Sequence, residues 1–370
     1  MSSLEFEILV TAMTVSAACA VPGAYLVLRQ MSMVADAISH TVLLGIVLAF
    51  LVVPLYGHPL MVFGASVMGV VTVLGIDLLK RTGLVREDAA IGITFPALFS
   101  LGVLLISLLA RDAHLDEHMV FQGDLVYSVF QRLELADRGY GPMTLWKMAG
   151  IFLLNGALAL RFHRELKIAT FDPVLAATLG ISPSLVHFGL VLMTSVTAVG
   201  AFDSVGSILV IGFMVVPPVT ARLLTDSLAR YLGLSILLGC ASSLGGFWIA
   251  RTVNGSVGGS ISLVMGAMFV AVLLASPRRG LVADWRRRRR QRVEFAVRML
   301  VIHLFQHRTL GPRTEENHAG HLEVHLGWSA EFSRRITELA EVRGLISRVD
   351  THWLGLTSVG ERQAEQALAG

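Results

Sequence analysis

The sequence has little charge and almost no cysteine. Of its 370 residues only 15% are charged, and two are cysteines, Cys19 and Cys240. Soluble domains usually contain about 25% charged residues, so this composition excludes an ordinary soluble protein. Both cysteines lie inside apolar runs, which gives neither a disulfide framework nor metal-ligand spacing. We interpret them as small packing residues.

Motifs for hydrolysis are also absent. No segment matches G-x-x-x-x-G-K-[ST], so the chain cannot hydrolyse ATP through that phosphate-binding loop. No nucleophile–base arrangement of an enzyme is evident. The first apolar segment lacks a basic leader and is followed by more apolar segments, which predicts a membrane helix and not a cleaved signal peptide.

Long apolar runs dominate what is present. Hydrophobic residues make up 54% of the chain, the mean hydropathy is +0.68, and several runs reach the ~20 residues that span a bilayer. We predict an all-α polytopic membrane protein. The candidate spans are 8–28, 33–53, 59–79, 89–110, 144–161, 184–202, 204–221, 231–250 and 257–276. Only "FDSVG" joins the sixth and seventh, so eight full spans are an alternative to nine.

Basic residues concentrate in alternate loops, which predicts the orientation of the spans. The basic loops contain Arg29, Lys80, Arg81, Arg86, Arg161, Arg164, Lys167, Arg222 and Arg230. This pattern places the N-terminus outside and the C-terminus in the cytoplasm. The run "RRRRRQR" (286–292) directly follows the last span. We interpret it as a topology anchor touching anionic lipid and not as a nucleic-acid-binding segment.

Residues 293–370 differ in character from the membrane domain at 1–280. "VEFAVRMLVIHLFQHRTL" predicts an amphipathic helix, and "GWSAEFSRRITELAEVRGLI" predicts a turn, a capping serine and a second such helix. Two short extended pieces and a closing helix follow. The order is that of a small α+β winged helix in the cytoplasm, and the segment resembles the winged helix of iron- and manganese-dependent repressors. Its histidines could bind metal, although histidines on helix faces are usually solvated; they are His303, His307, His318, His321 and His325.

The segment "DAISH" places ionisable side chains inside a predicted span. Asp36, Ser39 and His40 stand at i, i+3 and i+4, so they share one helix face. Intramembrane ionisable groups are costly and usually mark a functional path. A carboxylate and an imidazole form part of a ligand set for Mn²⁺, Fe²⁺ or Zn²⁺, which Ser39 or water could complete. Spacing alone equally allows a helix-start cap at Asp36 and a packing histidine.

Five sequence motifs, taken in order along the chain, favour the metal path over the structural interpretation of Asp36 and His40. They are "MSMVADAISHTVLLG", "REDAAIGITFPALFSLG" (86–102), "HMVFQGDL" (118–125), "RELKIATFDPVLAATLGI" (164–181) and "VGSILVIGFMVVPPVTARLLTDSL" (205–228). The stretch from about residue 8 to 277 resembles the permease subunits of bacterial metal-ion ABC importers, the manganese, zinc and iron family called ABC-3. The resemblance implies a type II importer fold in the inner membrane. It also implies a transported divalent metal and no permanently bound cofactor.

The same resemblance implies partners and site residues. The partners are a cytoplasmic ABC ATPase, an extracytoplasmic metal-binding protein, and a second permease copy or paralogue. The motif assigns Asp36 and His40 to the metal path, with His118 and Asp124 as weaker candidates in a loop predicted to lie outside. Leu44 departs from the family, which usually has proline there. Pro217 and Pro218 are expected to end a span before a short surface helix that couples to the ATPase; the coupling residues would be Pro217, Pro218, Arg222, Leu223, Leu224 and Asp226.

Two other functions remain alternatives. A membrane-anchored, metal-responsive transcription regulator would read DNA through its winged helix, but nine spans exceed what an anchor needs. A secondary metal transporter would work without ATP. The sequence also leaves open the choice among Mn²⁺, Zn²⁺ and Fe²⁺, and whether the permease pairs with itself.

Overall fold

The computed structural model describes residues 2–54, 59–109, 125–135, 138–277, 280–308, 318, 326–348 and 353–369. The chain separates into two compact units, Met1–Arg279 and Gly280–Gly370. The second unit therefore starts before residue 293, where the sequence placed the second domain.

The first unit opens with four long helices: α1 (Ser3–Leu28), α2 (Ser32–Val52), α3 (Pro59–Arg81) and α4 (Glu87–Leu109). A capping box starts α1, since Ser2 and Glu5 each accept a hydrogen bond from the other's backbone N–H. Lys80 and Arg81 occupy the last turn of α3, where positive charge is favourable to the helix dipole.

The rest of the first unit alternates short and long elements. A short helix α5 (Leu125–Ser128) and an antiparallel hairpin of β1 (Arg132–Leu135) and β2 (Arg138–Pro142) come first. The helices that follow are α6 (Met143–Arg161), α7 (His163–Phe171), α8 (Pro173–Thr178), α9 (Pro183–Val205), α10 (Ser207–Leu224), α11 (Leu228–Val253) and α12 (Val257–Ala275). The hairpin was not predicted from the sequence.

Nine helices in the described part of the chain are long and apolar enough to cross a bilayer, namely α1–α4, α6 and α9–α12. The predicted polytopic helical fold is confirmed. The eight-span alternative rested on "FDSVG", but α9 continues to Val205 and α10 begins at Ser207. Gly206 alone joins them, with a φ of +77° that glycine adopts without steric cost.

Small residues let the helices of this unit approach closely. Cys19 is fully buried in the middle of α1. A Cβ built on Gly23 would lie 2.1 Å from the carbonyl oxygen of Met214, and one on Gly246 would lie 2.4 Å from the Cα of Ile261. Such backbone contact is typical of helices packed in lipid, where dispersion replaces the hydrophobic drive between helices.

Buried polar groups pair across these helices. Asn155 Nδ2 donates to Thr197 Oγ1 at 2.7 Å, and the Thr72 hydroxyl donates to Thr41 Oγ1 at 2.7 Å. Pairing is required because no water satisfies such groups in the bilayer core.

The second unit contains α13 (Leu281–Gln306), α14 (Ala330–Val342), the hairpin β3 (Ile346–Arg348) and β4 (Leu354–Leu356), and α15 (Ser358–Ala369). Ser329 caps α14 as predicted, accepting the N–H of Phe332. The helix predicted from residue 293 instead starts at Leu281 and includes the whole arginine run. Arginine is a good helix former, and Asp284 pairs with Arg287 one turn later.

The predicted histidine-bearing second helix of this unit falls largely outside the described residues. His321 and His325 lie there; His318 packs edge-on against Trp353, and the rings of His303 and His307 are 4.8 Å apart. Among the described residues no three metal-ligating side chains cluster. The winged-helix assignment therefore stays a prediction.

Candidate functional site

Helix α2 positions the "DAISH" residues in its second turn and at the start of its third. The N-cap residue is Met31, and no side chain caps the helix start. The alternative interpretation of Asp36 as a helix cap is therefore wrong. The helix continues unbroken through Leu44, which is buried against Gly102 of α4, so the absent proline leaves no kink here.

Asp36 and His40 come together, while Ser39 does not join them. His40 Nε2 lies 3.5 Å from Asp36 Oδ1, with 34% and 41% of the two side chains exposed. Ser39 is fully buried, and its hydroxyl donates to the backbone carbonyl of Asp36 at 2.6 Å. The weaker candidates His118 and Asp124 lie outside the described residues.

Aromatic rings of α4 flank His40. Its imidazole lies 4.9 Å from the ring of Phe95 and 6.0 Å, edge-on, from that of Phe99. His40 thus packs on one side, as the structural alternative expected. About one-third of its side chain remains exposed, which a purely packing histidine would not need.

The separation of the two ligand atoms suits a shared metal ion. Zinc binds nitrogen and oxygen ligands at about 2.0–2.2 Å, so two ligands of one tetrahedral ion lie about 3.4 Å apart. The observed 3.5 Å between Asp36 and His40 matches that spacing. In the described residues no third histidine, cysteine or carboxylate joins the pair.

The predicted coupling segment has a different shape from the one expected. Helix α10 runs through Pro217 and Pro218 to Leu224, so the prediction that the prolines end the span is wrong. Proline at 218 leaves the carbonyl of Met214 without its usual helical donor, and the backbone at Gly23 packs directly against that carbonyl. Neighbouring helices of this kind make proline tolerable inside a membrane helix.

The end of α10 is anchored to α1. Arg222 Nη1 donates to the carbonyl of Val27 at 3.5 Å, and Leu223 and Leu224 are half-buried. Asp226 is exposed just past the helix. A shallow pocket at this end is lined by Leu28, Phe171, Arg222, Thr225, Asp226, Leu228 and Tyr231.

Helices α7 and α8 form a separate exposed segment between two spans. Phe171, Val174 and Leu175 all face solvent there. Asp172 caps α8 by accepting the N–H of Leu175 at 2.9 Å. Arg29 Nη2 donates to the carbonyl of Ala169 at 3.1 Å and so joins this segment to the end of α1.

Comparison with known proteins identifies the family. Residues 2–276 match the ABC 3 transport family. The chain belongs to this family. It is 40% identical over 345 residues to the zinc transport system membrane protein TroD of Treponema pallidum, covering 93% of this chain and 94% of the relative. It is 40% identical over 280 residues to the manganese transport system membrane protein MntD of Bacillus subtilis, covering 76% and 95%.

A solved structure supports the same conclusion for the permease. PsaBC from Streptococcus pneumoniae, in complex with a Fab, aligns with a TM-score of 0.61 and 28% identity over 75% of this chain and 93% of that one. This protein is therefore a multi-pass membrane permease of the ABC transporter class, a transport subunit and not the ATPase. Because the first unit ends at residue 279, the TroD alignment must extend into the second unit.

The permease also contains an ionisable pair that the sequence analysis missed. His187 Nε2 on α9 lies 3.3 Å from Asp77 Oδ2 on α3. The two residues are far apart in sequence, so no local spacing reveals them as a pair. An aspartate inside one predicted span and a histidine inside another were the available signals.

Proposed function

We propose that this permease imports Mn²⁺, Zn²⁺ or Fe²⁺ across the bacterial inner membrane, and that the ion contacts Asp36 and His40 in transit. The observation that carries the proposal is the 3.5 Å separation of a carboxylate and an imidazole inside a membrane-spanning helix. Relatives named for zinc and manganese transport support this class of cargo.

The exposure of this pair supports a second permease copy or paralogue. Charged groups facing lipid are costly, so a pair that is over one-third exposed in a span must face a partner or a water-filled path. A path between two permeases meets this requirement. Phe95 and Phe99 would then line one side of this path.

The two protein ligands that the described residues supply suit a transport site better than a storage site. Few protein ligands and exchangeable water hold a divalent ion only moderately, and conduction requires that the ion also leaves. Alternating access would expose the pair first to one side of the membrane and then to the other.

The separate ATPase would dock on the side that holds α7, α8 and the end of α10. The basic residues in its loops favour the cytoplasm for this side, and exposed apolar side chains on α7 and α8 offer a contact surface. The end of α10 would support this contact surface, because the helix is continuous to Leu224. The residues involved would be Pro217, Pro218, Arg222, Leu223, Leu224 and, just past the helix, Asp226. An extracytoplasmic binding protein would deliver metal to the opposite side.

The second unit would lie in the cytoplasm, since the arginine run at its start follows the last span. We assign it a regulatory role, which is to limit uptake when metal is plentiful. Its presence in the alignment with TroD supports a role tied to metal transport and not to nucleic acid.

The decisive experiment measures metal uptake by the reconstituted permease, ATPase and binding protein. Asp36→Asn and His40→Gln preserve size and hydrogen bonding but weaken ligation, so each should lose most uptake, on the order of 10-fold or more. Ser39→Ala is the matched control, because Ser39 is buried and bonded to its own helix, and should transport normally. Near-normal uptake by both pair variants, at equal expression and ATPase association, would remove the assignment.

A further inference from the structure

The Asp77–His187 pair has the same ligand chemistry as the Asp36–His40 pair. The ligand atoms are 3.3 Å apart, and the exposed fractions are 24% for Asp77 and 16% for His187. Within the described part of the chain, His187 Nε2 is buried without a well-aligned hydrogen bond. Asp77 Oδ2 lies 3.3 Å from this nitrogen, which is close enough for electrostatic attraction.

The two pairs lie at the same level of the bundle. Thr72 bonds to Thr41, and Gly64 contacts Gly45, so α2 and α3 run antiparallel. Asp36 and Asp77 each lie five residues beyond this threonine contact, toward the same end. A helix rises about 1.5 Å per residue, so both carboxylates are about 7.5 Å past it.

Packing between α3 and α9 does not depend on Asp77 and His187. The Ser195 hydroxyl donates to the carbonyl of Ser66 at 3.0 Å. A Cβ built on Gly69 would lie 2.1 Å from Ser195 Oγ, so the helices are in direct contact there. A largely buried carboxylate and imidazole are therefore an expensive addition to an interface that small residues already hold.

Two cations surround the pair. Arg29 and Lys80 both interact electrostatically with His187. Arg29 also bonds to Ala169 of α7, so the pair is close to the exposed segment described above. Nearby positive charge weakens the binding of a divalent cation without removing its ligands.

We propose that Asp77 and His187 form a second site for a divalent transition metal ion, bridging α3 and α9 and binding more weakly than Asp36 and His40. A weak site at this level suits release of the ion toward the side of α7. This inference rests on the proposed transport function for its role, although metal binding at the pair can be measured independently of transport.

The test is metal binding by the full-length permease in lipid nanodiscs, purified without a polyhistidine tag. Equilibrium dialysis with Zn²⁺ and with Mn²⁺ gives the number of ions bound per chain for each variant. Subtracting one variant from another removes the contribution of the other histidines, which is the same in both. In an Asp36→Asn/His40→Gln background, adding Asp77→Asn/His187→Gln should remove about one further ion per chain. Asp77→His/His187→Asp swaps the ligands and should retain that ion, and Lys80→Gln should tighten it several-fold.

The outcomes separate the two proposals. If Asp77→Asn/His187→Gln lowers the melting temperature but leaves metal binding unchanged, the pair is a structural contact between α3 and α9. Unchanged metal binding would overturn the second site. Loss of about one further ion per chain in the Asp36→Asn/His40→Gln background, with that ion retained by Asp77→His/His187→Asp, would confirm it. The uptake assay of Asp36→Asn and His40→Gln decides the transport proposal whichever of these results is obtained.

Discussion

Gly45 of α2 and Gly64 of α3 bring the two helix backbones into contact. A Cβ on Gly45 would lie 2.3 Å from the carbonyl oxygen of Gly64, and a Cβ on Gly64 would lie 2.6 Å from that of Gly45. Gly45 follows His40 by little more than one helical turn. The position of the candidate metal ligands on α2 therefore depends on a contact that only glycine permits.

Gly45→Ala should destabilise the permease, because its nearest obstacle is backbone that cannot rotate away. Overpacking of this kind costs about 1–3 kcal/mol. Gly150→Ala on α6 is the matched control, since nothing lies within 4 Å of its added Cβ. Thermal unfolding in detergent should show a lower melting temperature only for Gly45→Ala. Equal melting of the two variants would contradict the close helix contact.

The fold was largely predictable because hydropathy and length decide a membrane helix. Errors arose where neighbouring elements override a local rule. Pro217 and Pro218 predict a helix end in isolation, but packing against Gly23 stabilises a continuous α10. The sequence predicted a helix only from residue 293, but α13 starts at Leu281 and includes the arginine run.

The candidate site was likewise predictable only in part from the sequence. Asp36 and His40 were found because a helix converts four-residue spacing into proximity. Spacing could not show that Ser39 turns back to its own helix. Asp77 and His187 depend on how α3 and α9 pack, and that packing leaves no periodic signal in the sequence.

Phe95→Ala should reduce uptake by less than His40→Gln does. The ring of Phe95 restricts the orientation of the His40 imidazole at a centroid distance of 4.9 Å, and its removal leaves the ligand present but less well positioned. Phe63→Ala makes the same chemical change at an exposed position of α3 and should have little effect. Initial uptake rates at several metal concentrations test this. Equal uptake rates for Phe95→Ala and Phe63→Ala would show that Phe95 does not position His40.

Val174→Asp should weaken association with the ATPase. Val174 is 76% exposed on α8, on the side that we assign to the cytoplasm, and a carboxylate there would oppose burial against a partner. Val253→Asp is a control of equal chemistry at 73% exposure, at the end of α11 assigned to the opposite side. Co-purification of the ATPase with each variant provides the measurement. Full recovery with Val174→Asp would move the coupling contact away from α8.

Glu294→Gln should loosen the second unit at neutral pH but not in acid. Arg343 Nη2 and Nη1 donate to Glu294 Oε1 and Oε2 at 2.8 and 2.9 Å, joining α13 to the end of α14. These hydrogen bonds and the guanidinium charge hold the pKa of Glu294 below its ordinary value. The pair is exposed, and such pairs contribute about 0.2–1 kcal/mol.

The sign of this pH effect follows from the lowered pKa. The folded state binds the proton less readily than the unfolded state, so the stabilisation is present above the ordinary pKa of glutamate, about 4.3. It is lost as the pH falls through the lower folded-state value. Hydrogen–deuterium exchange of α14, corrected for intrinsic rates, should differ between wild type and Glu294→Gln at pH 7 and converge near pH 3. Glu365→Gln, an exposed carboxylate on α15, is the control, and a difference that persisted unchanged in acid would exclude the ion pair as its cause.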